Sequence, residues 1–389
     1  GGASVTVSDS APGSPSAGDL WFDSSVLQMF LYYADGSSNQ WVKSNPSGGV
    51  QLAPNRNRLI NGNFDVAQRG TSITASGYTL DRWRLDHFGG TTATTTQQSF
   101  TLGQTDVPDN PEYYLRSVVS SDGSADAGAI LSQRIEDVRT FSGQTVTVSF
   151  YAKADAAKNI AIELRQDFGS GGSPSSQIAA TTPQTVSLTT SWAKYSKTFS
   201  VSSISSKTIG SNNDDYLRLA FWLSGGSDYN SRTNSLAGQN GTFEFSQVQI
   251  EKGDSATEFE HKRIGEIKRE CYRYYQSYSR KSGSYNMLTI GRAYSTNNGT
   301  FRFHIAEEMR TAPSISFNSV GNLNIYALAQ SDTSGGSGVI TAISATGAYG
   351  PNHVQFGATT SGALTGGLGY MIELNNTPSD DQLIFDAEL

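Results

Sequence analysis

The stretch "DYLRLAFWL" at 215–223 puts Leu217, Leu219, Phe221 and Leu223 on one side of an extended chain and Tyr216, Arg218 and Trp222 on the other. Side chains alternate across a strand, so a period of two describes an antiparallel sheet packed on one face. The pattern recurs in "TVTVSFYAK", where Val146, Val148 and Phe150 oppose Thr147, Ser149 and Tyr151. It recurs again in "NIAIELRQ", where Ile160, Ile162 and Leu164 oppose Glu163 and Arg165. Further runs ("LDRWRLDHF", "YYLRSVV", "GAILSQRI", "AKYSKTFSV", "TFEFSQVQI") supply strands enough for two packed sheets. Residues 55–262 therefore read as a β-jelly-roll sandwich. The 40 glycines in 389 residues and a charged fraction of only 16% agree with an all-β protein.

Two shorter segments flank the jelly roll. In residues 1–54, Leu20, Phe22, Leu27, Met29, Leu31 and Trp41 suit a small β-meander of two or three strands followed by the linker "NPSGGVQLAPN". Residues 263–389 open with a predicted helix, "GEIKRECYRYYQSY", and continue as strands separated by Gly-rich loops, predicting a C-terminal β-sandwich tip. On that helix Ile264, Ile267, Cys271, Tyr274 and Tyr278 form a narrow two-in-seven seam, as in a coiled coil. A helix this short is marginal alone, so its seam must be covered. A parallel homotrimer, with the helix near the threefold axis, covers it symmetrically. The alternative packs the helix on its own jelly roll. The terminal strand "LIFDAEL" has the same need, and a neighbouring subunit would meet it.

Several chemistries are excluded or left without support. The net charge is -7, and the basic residues Lys262, Arg263, Lys268, Arg269 and Arg273 are interleaved with Glu260, Glu266 and Glu270, so the segment reads as a solvated helix face and not a nucleic-acid patch. The single cysteine, Cys271, precludes an intrachain disulfide. No apolar run is long enough for a membrane span, and no signal peptide is visible. His87, His261, His304 and His353 have no metal-ligand spacing, and neither a phosphate loop nor a nucleophile elbow occurs. The acidic pairs Asp214–Asp215 and Asp380–Asp381 sit in loop-like sequence, which is weak support for the spaced carboxylates of a glycosidase. The chain is read as non-enzymatic, with no cofactor. Its opening, "GGASVTVSDSAPGSPSAG", looks like a linker and suggests the C-terminal part of a longer protein.

Recognition of a sugar needs aromatic faces for the apolar side of the ring and forked donors or acceptors for hydroxyl or acidic groups. By parity Tyr151, Glu163, Arg165, Tyr216, Arg218 and Trp222 all point away from the core and supply both. Either that face is open to a glycan, or a loop or another subunit covers it and Trp222 only packs. A second candidate surface comprises Tyr349, His353 and Tyr370, in or beside Gly-rich distal loops. Trp83, between Arg82 and Arg84, reads as a core anchor.

The ordered set "GDLWFD", "LINGNFDVAQRG", "DRW", "SFYAKA", "RQDFGSGGSPSS", "DYLRLAFWLSGGS", "VQIEKGDSATEFEH", "CYRYYQ" and "DAEL" resembles phage tail-fibre proteins with a carbohydrate-binding-module-like jelly roll before a receptor-binding tip. The resemblance implies the fold and a virion location, not a known ligand; the leading reading is a trimeric tail fibre, made in the host cytoplasm, that attaches to a host surface polysaccharide and joins other tail proteins. A tailspike-type depolymerase and a structural capsid fibre or adaptor are the alternatives. It also implies that "INGNF" and "QIEKG" lie side by side, at a corner where related modules hold a structural calcium. Asp65 matches the first acidic position there, while Ser246 and Gln247 stand where a second acid is expected.

Overall fold

The computed structural model describes residues 5–25, 28–34, 36, 38–44, 54–279, 286–317, 323–328, 338–350, 352–362, 364–374 and 382–389. Leu27, the Asp380–Asp381 pair and most of the "DTSGGSG" loop fall outside them. The chain divides into two compact units, Gly1–Asn55 and Arg56–Leu389.

The first unit is a four-stranded sheet of β1 (Val5–Ser8), β2 (Leu20–Asp23), β3 (Gln28–Ala34) and β4 (Asn39–Lys43), in that order. The extra strand is β1, which sequence reading assigned to a linker; its "VTVS" alternates and pairs parallel to β2. Trp21 holds the sheet together by stacking on Phe30 at 4.9 Å and meeting Trp41 edge-on at 5.6 Å.

In the second unit the jelly roll begins with β5 (Ser72–Ile73), β6 (Gly77–Tyr78), β7 (Arg84–Phe88), β8 (Thr91–Ser99), β9 (Tyr113–Ser121) and β10 (Gly128–Glu136). It continues through β11 (Thr145–Ala154), β12 (Lys158–Asp167), β13 (Ile178–Ala179), β14 (Gln184–Leu188), β15 (Ala193–Ser200), β16 (Tyr216–Gly225) and β17 (Gly241–Lys252), with a one-turn helix α1 (Asn230–Thr233) before β17. One sheet runs β15-β11-β17-β9-β8-β5; the other runs β13-β12-β16-β10-β7-β6, with β14 also on β12. Between them lies the core that the alternation foretold, including Val148, Phe150, Ile162, Leu164, Leu219, Phe221 and Phe245. Trp83 is fully buried there, and its Nε1 donates to the Asn61 carbonyl at 2.9 Å.

The two phrases "INGNF" and "QIEKG" are neighbours. The Val248 N–H donates to the Gly62 carbonyl at 2.8 Å and the Arg58 N–H to the Ile250 carbonyl at 3.1 Å. Gly62 is required by this approach, because a Cβ there would lie 2.2 Å from the Val248 oxygen.

Helix α2 spans Ile264–Tyr272 and ends before the predicted limit. From Tyr275 the sequence "YQSYS" alternates with period two, and it forms strand β18 (Tyr275–Ser279). Then come β19 (Asn286–Ala293), β20 (Asn298–His304), β21 (Ser314–Phe317), β22 (Leu323–Ala327), β23 (Gly338–Gly350), β24 (His353–Thr360), β25 (Gly369–Leu374) and β26 (Gln382–Asp386). In place of the expected sandwich tip, β19-β20-β24-β23-β22-β25 close into a barrel, because β25 pairs with both β19 and β22. The terminal strand β26 is no exposed edge: it lies between β18 and β21. The molecule is all-β apart from short helices, and among the described residues no helix is long and apolar enough to cross a membrane.

Candidate functional site

The outer face of the β11 sheet is built by the side chains that alternate with the core. Arg116 on β9, Glu244 on β17 and Lys153 on β11 are direct register partners and form one row across three strands. Their signs alternate. Arg116 Nε donates to Glu244 at 2.6 Å, and Lys153 Nζ lies 3.0 Å from the other carboxylate oxygen. Beside this row stands an aromatic cluster. Tyr114 is 4.7 Å from Phe100 and 5.4 Å from Trp192, and Phe100 is 5.3 Å from Trp192. All three rings are partly exposed. Lys153 sits over Trp192 at 5.5 Å, and Arg116 donates to the Tyr114 hydroxyl at 3.0 Å. Burial and then the Glu244 carboxylate push the Tyr114 phenol up, so it stays a neutral donor and acceptor.

Tyr151 belongs to this face. It is partly exposed, two residues from Lys153 and opposite Ser246. Gln247, next on β17, adopts a left-handed φ of 50° where the β11–β17 register shifts, a bulge beside the aromatic face.

Glu163, Arg165, Tyr216, Arg218 and Trp222 lie on the other sheet, so the six-residue set read from parity is divided between opposite sides of the sandwich. Trp222 is a further correction, because it is fully buried. Residues of the segment leading into β17 cover it, with Tyr229 packed at 5.1 Å and Leu236 in the same cluster, and Phe88 of β7 meets the ring edge-on at 6.3 Å. Trp222 thus cannot serve as an open stacking platform. Its Nε1 donates to Glu163 at 3.1 Å, and Arg232 from α1 forks onto the same carboxylate at 2.9 and 2.8 Å. Arg165 adds a contact at 3.2 Å. Burial alone would raise the Glu163 carboxyl, but Arg232, Trp222 and Arg218 outweigh it and hold it below the usual carboxylate range. Tyr216 is buried beneath Arg134, whose guanidinium lies 4.7 Å from its ring.

The barrel candidates are structural to different degrees. Tyr370 is buried in the barrel core and its hydroxyl accepts the Thr365 N–H at 2.7 Å. Tyr349 is half-buried and donates to the Met309 carbonyl. His353 is half-buried at the start of β24, 3.3 Å from the Asn352 amide oxygen.

Two residues of the helical seam, Ile267 and Cys271, are covered within the chain. Ile267 and Cys271 pack on Ile60 and Val66 of the jelly roll, Ile264 is 50% exposed, and Tyr274 lies under the Arg82 guanidinium at 3.4 Å. Tyr278 belongs to β18 and packs on Phe303 at 4.5 Å. Ile267 and Cys271 face their own jelly roll, Tyr274 and Tyr278 lie beyond the helix and Ile264 faces solvent, so the five do not form a continuous coiled-coil seam. Burial pushes the Cys271 thiol well up, which removes nucleophilic character.

At the Asp65 corner, Asn63 donates to Asp65 at 3.4 Å, and the Asn63 amide oxygen is buried without a partner among the described residues. Burial, opposed by that amide, pushes the Asp65 carboxyl up. Calcium takes six to eight oxygens from carboxylates, carbonyls and water. Among the described residues no three His, Cys, Asp or Glu side chains converge on such a site. Ser246 and Gln247 stand in place of the second acid, so the acidic pair that the resemblance implies for the ion is incomplete.

Residues 56–211 match the family model of a carbohydrate binding domain. No curated protein matches the chain in sequence. Among solved structures, a CBM4 module is 21% identical over 50% of this chain and 98% of its own, with a TM-score of 0.29. The N-terminal cellulose-binding domain of Cellulomonas fimi β-1,4-glucanase C is 17% identical over 48% of this chain and 97% of its own, with a TM-score of 0.27. The enzymatically active domain of bacteriophage CBA120 tailspike protein 4 is 14% identical over 52% of this chain but only 22% of its own, with a TM-score of 0.31. At these similarities the structures carry no argument about this chain's ligand.

Sequence reading passed over Phe100, Tyr114, Trp192, Arg116, Lys153 and Glu244. Trp192 precedes its strand in "TSWAKYSKTF", outside any alternating run, and only the pairing of β9, β17 and β11 brings the charges together.

Proposed function

We propose that the chain binds carbohydrate on the outer face of the β11 sheet. The observation that carries this is the partly exposed cluster Phe100, Tyr114 and Trp192 beside the row Arg116, Glu244 and Lys153. Aromatic rings stack on the apolar faces of sugars, and the fixed ionic row offers donors and acceptors to hydroxyls. The aromatic residues also lie in the stretch that matches a carbohydrate binding domain. The role proposed is binding without catalysis. The finer reading is a homotrimeric virion tail fibre that attaches to a host surface polysaccharide and joins other tail proteins; its support is the ordered sequence resemblance.

A glycan array probed with the intact chain and with Trp192→Ala tests the binding role. Binding by the parent and its loss in the variant is the expected result; no binding to any glycan contradicts it. Incubation of each bound polysaccharide with the chain should release no new reducing ends, and reproducible cleavage would replace the binding role with an enzymatic one.

A further inference from the structure

We propose that the outer face of the β12 sheet holds an oxyanion, of the kind that an acidic glycan carries as a carboxylate, sulfate or phosphate group, on the row Arg134, Arg218 and Arg165. It rests on the carbohydrate reading only for the polymer that bears the anion. Arg134 on β10 and Arg165 on β12 are both register partners of Arg218 on β16, so three guanidiniums stand side by side across neighbouring strands. Like charges in directly opposed positions repel, and such a row persists only with compensating anions. Arg232 adds a fourth positive charge from above.

The carboxylates on this face are already engaged. Glu163 is taken by Trp222, Arg232 and Arg165. Asp167 accepts from the Gln177 amide at 2.9 Å and the Gly169 N–H at 3.0 Å. Arg218, at the centre of the row, is left over. Its side chain is only 12% exposed, and its nearest anion is Glu163 at 3.6 Å, beyond hydrogen-bond range. Its Nε is buried with no acceptor among the described residues, and so is that of Arg134, whose Nη1 already donates to the Leu389 oxygen. Buried charged donors are normally hydrogen-bonded, and this pair of unclaimed donors marks the place of an acceptor from outside the chain. The guanidinium fork matches the paired oxygens of carboxylate, sulfate or phosphate. Burial pulls the Arg218 pKa down, Glu163 opposes this and Arg232 adds to it, so a bound anion would relieve the desolvation.

Calorimetric titrations of the intact chain with oligogalacturonate, dextran sulfate oligomers, inorganic phosphate and neutral dextran oligomers test the proposal. At least one anionic probe should bind ten-fold or more tighter than neutral dextran, with affinity falling as salt rises. Arg218→Gln should weaken that binding at least ten-fold. Arg165→Gln, at a more peripheral position in the row, repeats the test if Arg218→Gln unfolds. Which probe responds identifies the oxyanion. Equal affinity for neutral and anionic probes, or unchanged binding in both folded variants, overturns the proposal. Trp192→Ala separates it from the carbohydrate role of the aromatic face. Anion binding that survives Trp192→Ala and is lost in Arg218→Gln supports the arginine row, whatever the array on the aromatic face returns.

Discussion

Across β9, β17 and β11 the outer face of the jelly roll reads Arg116, Glu244, Lys153; across β10, β16 and β12 it reads Arg134, Arg218, Arg165. The first row has a carboxylate between its two cations, both of which Glu244 engages, and its aromatic neighbours are partly exposed. The second has no carboxylate of its own. The chain roofs the neighbouring Trp222 with the segment carrying Tyr229, Arg232 and Leu236, sends Arg232 and Trp222 onto Glu163, and leaves the Arg218 Nε without an acceptor among the described residues. Two faces of one sandwich, each with a tryptophan, therefore serve different ends: Trp222 is a packing residue and Trp192 a contact surface.

The comparison is broken most readily at Trp222. Trp222→Ala removes a fully buried ring and should lower stability by about 3–5 kcal/mol in denaturant titrations. A loss below about 1 kcal/mol would mean that the covering segment does not seat on the ring. Next is Glu163→Gln, which leaves Arg232 and Arg218 without their buried counter-charge. It should cost about 3 kcal/mol near neutral pH. The sign with pH follows from the depressed carboxyl. The folded state releases this proton more readily than the unfolded one, so the contribution is present above the ordinary carboxylate range and lost as pH falls through the folded value. The pH profile of Glu163→Gln should therefore converge with the parent in acid, and parallel profiles would remove Glu163 from its hub.

Trp192→Ala inverts the expectation. It should weaken glycan binding by about 1–3 kcal/mol, the range for stacking on an aromatic side chain, and change stability by less than about 1 kcal/mol. Glycan affinity unchanged in this variant would assign the contact to another surface. Smallest of all is Ile264→Asp, on the exposed side of α2, which should alter stability by no more than about 0.5 kcal/mol. A large loss would show that this side of the helix is covered in solution by another chain.

Much of the fold was legible because alternation reports burial directly. Val146, Val148, Phe150, Ile160, Ile162, Leu164, Leu217, Leu219, Phe221 and Leu223 all enter the core as their parity requires. Parity assigns a residue to the inside or the outside, but it does not say which sheet its strand joins. Tyr151 and Glu163 were grouped for that reason, although strands β11 and β12, adjacent in sequence, lie in different sheets. Nor does it say what covers an outer face: the roof over Trp222 is irregular chain and one turn of helix, with no periodic signal of its own. In "YRYYQSYS" the tyrosines satisfied helical spacing and strand alternation at once, and pairing with β26 decided for the strand. The contact surface at Trp192 was hidden because it joins residues from β9, β11, β17 and two loops, a juxtaposition that exists only once the sheet order is known.

The central claim, that the aromatic face and not the arginine face stacks on sugar, is tested most directly by the indole N–H signals of the chain's five tryptophans in a nitrogen–proton NMR correlation spectrum, assigned by single Trp→Phe variants. On titration with a glycan identified by the array, the Trp192 signal should move while that of Trp222, tied to Glu163 at 3.1 Å, stays in place. Saturating glycan that leaves the Trp192 signal unmoved would contradict the account.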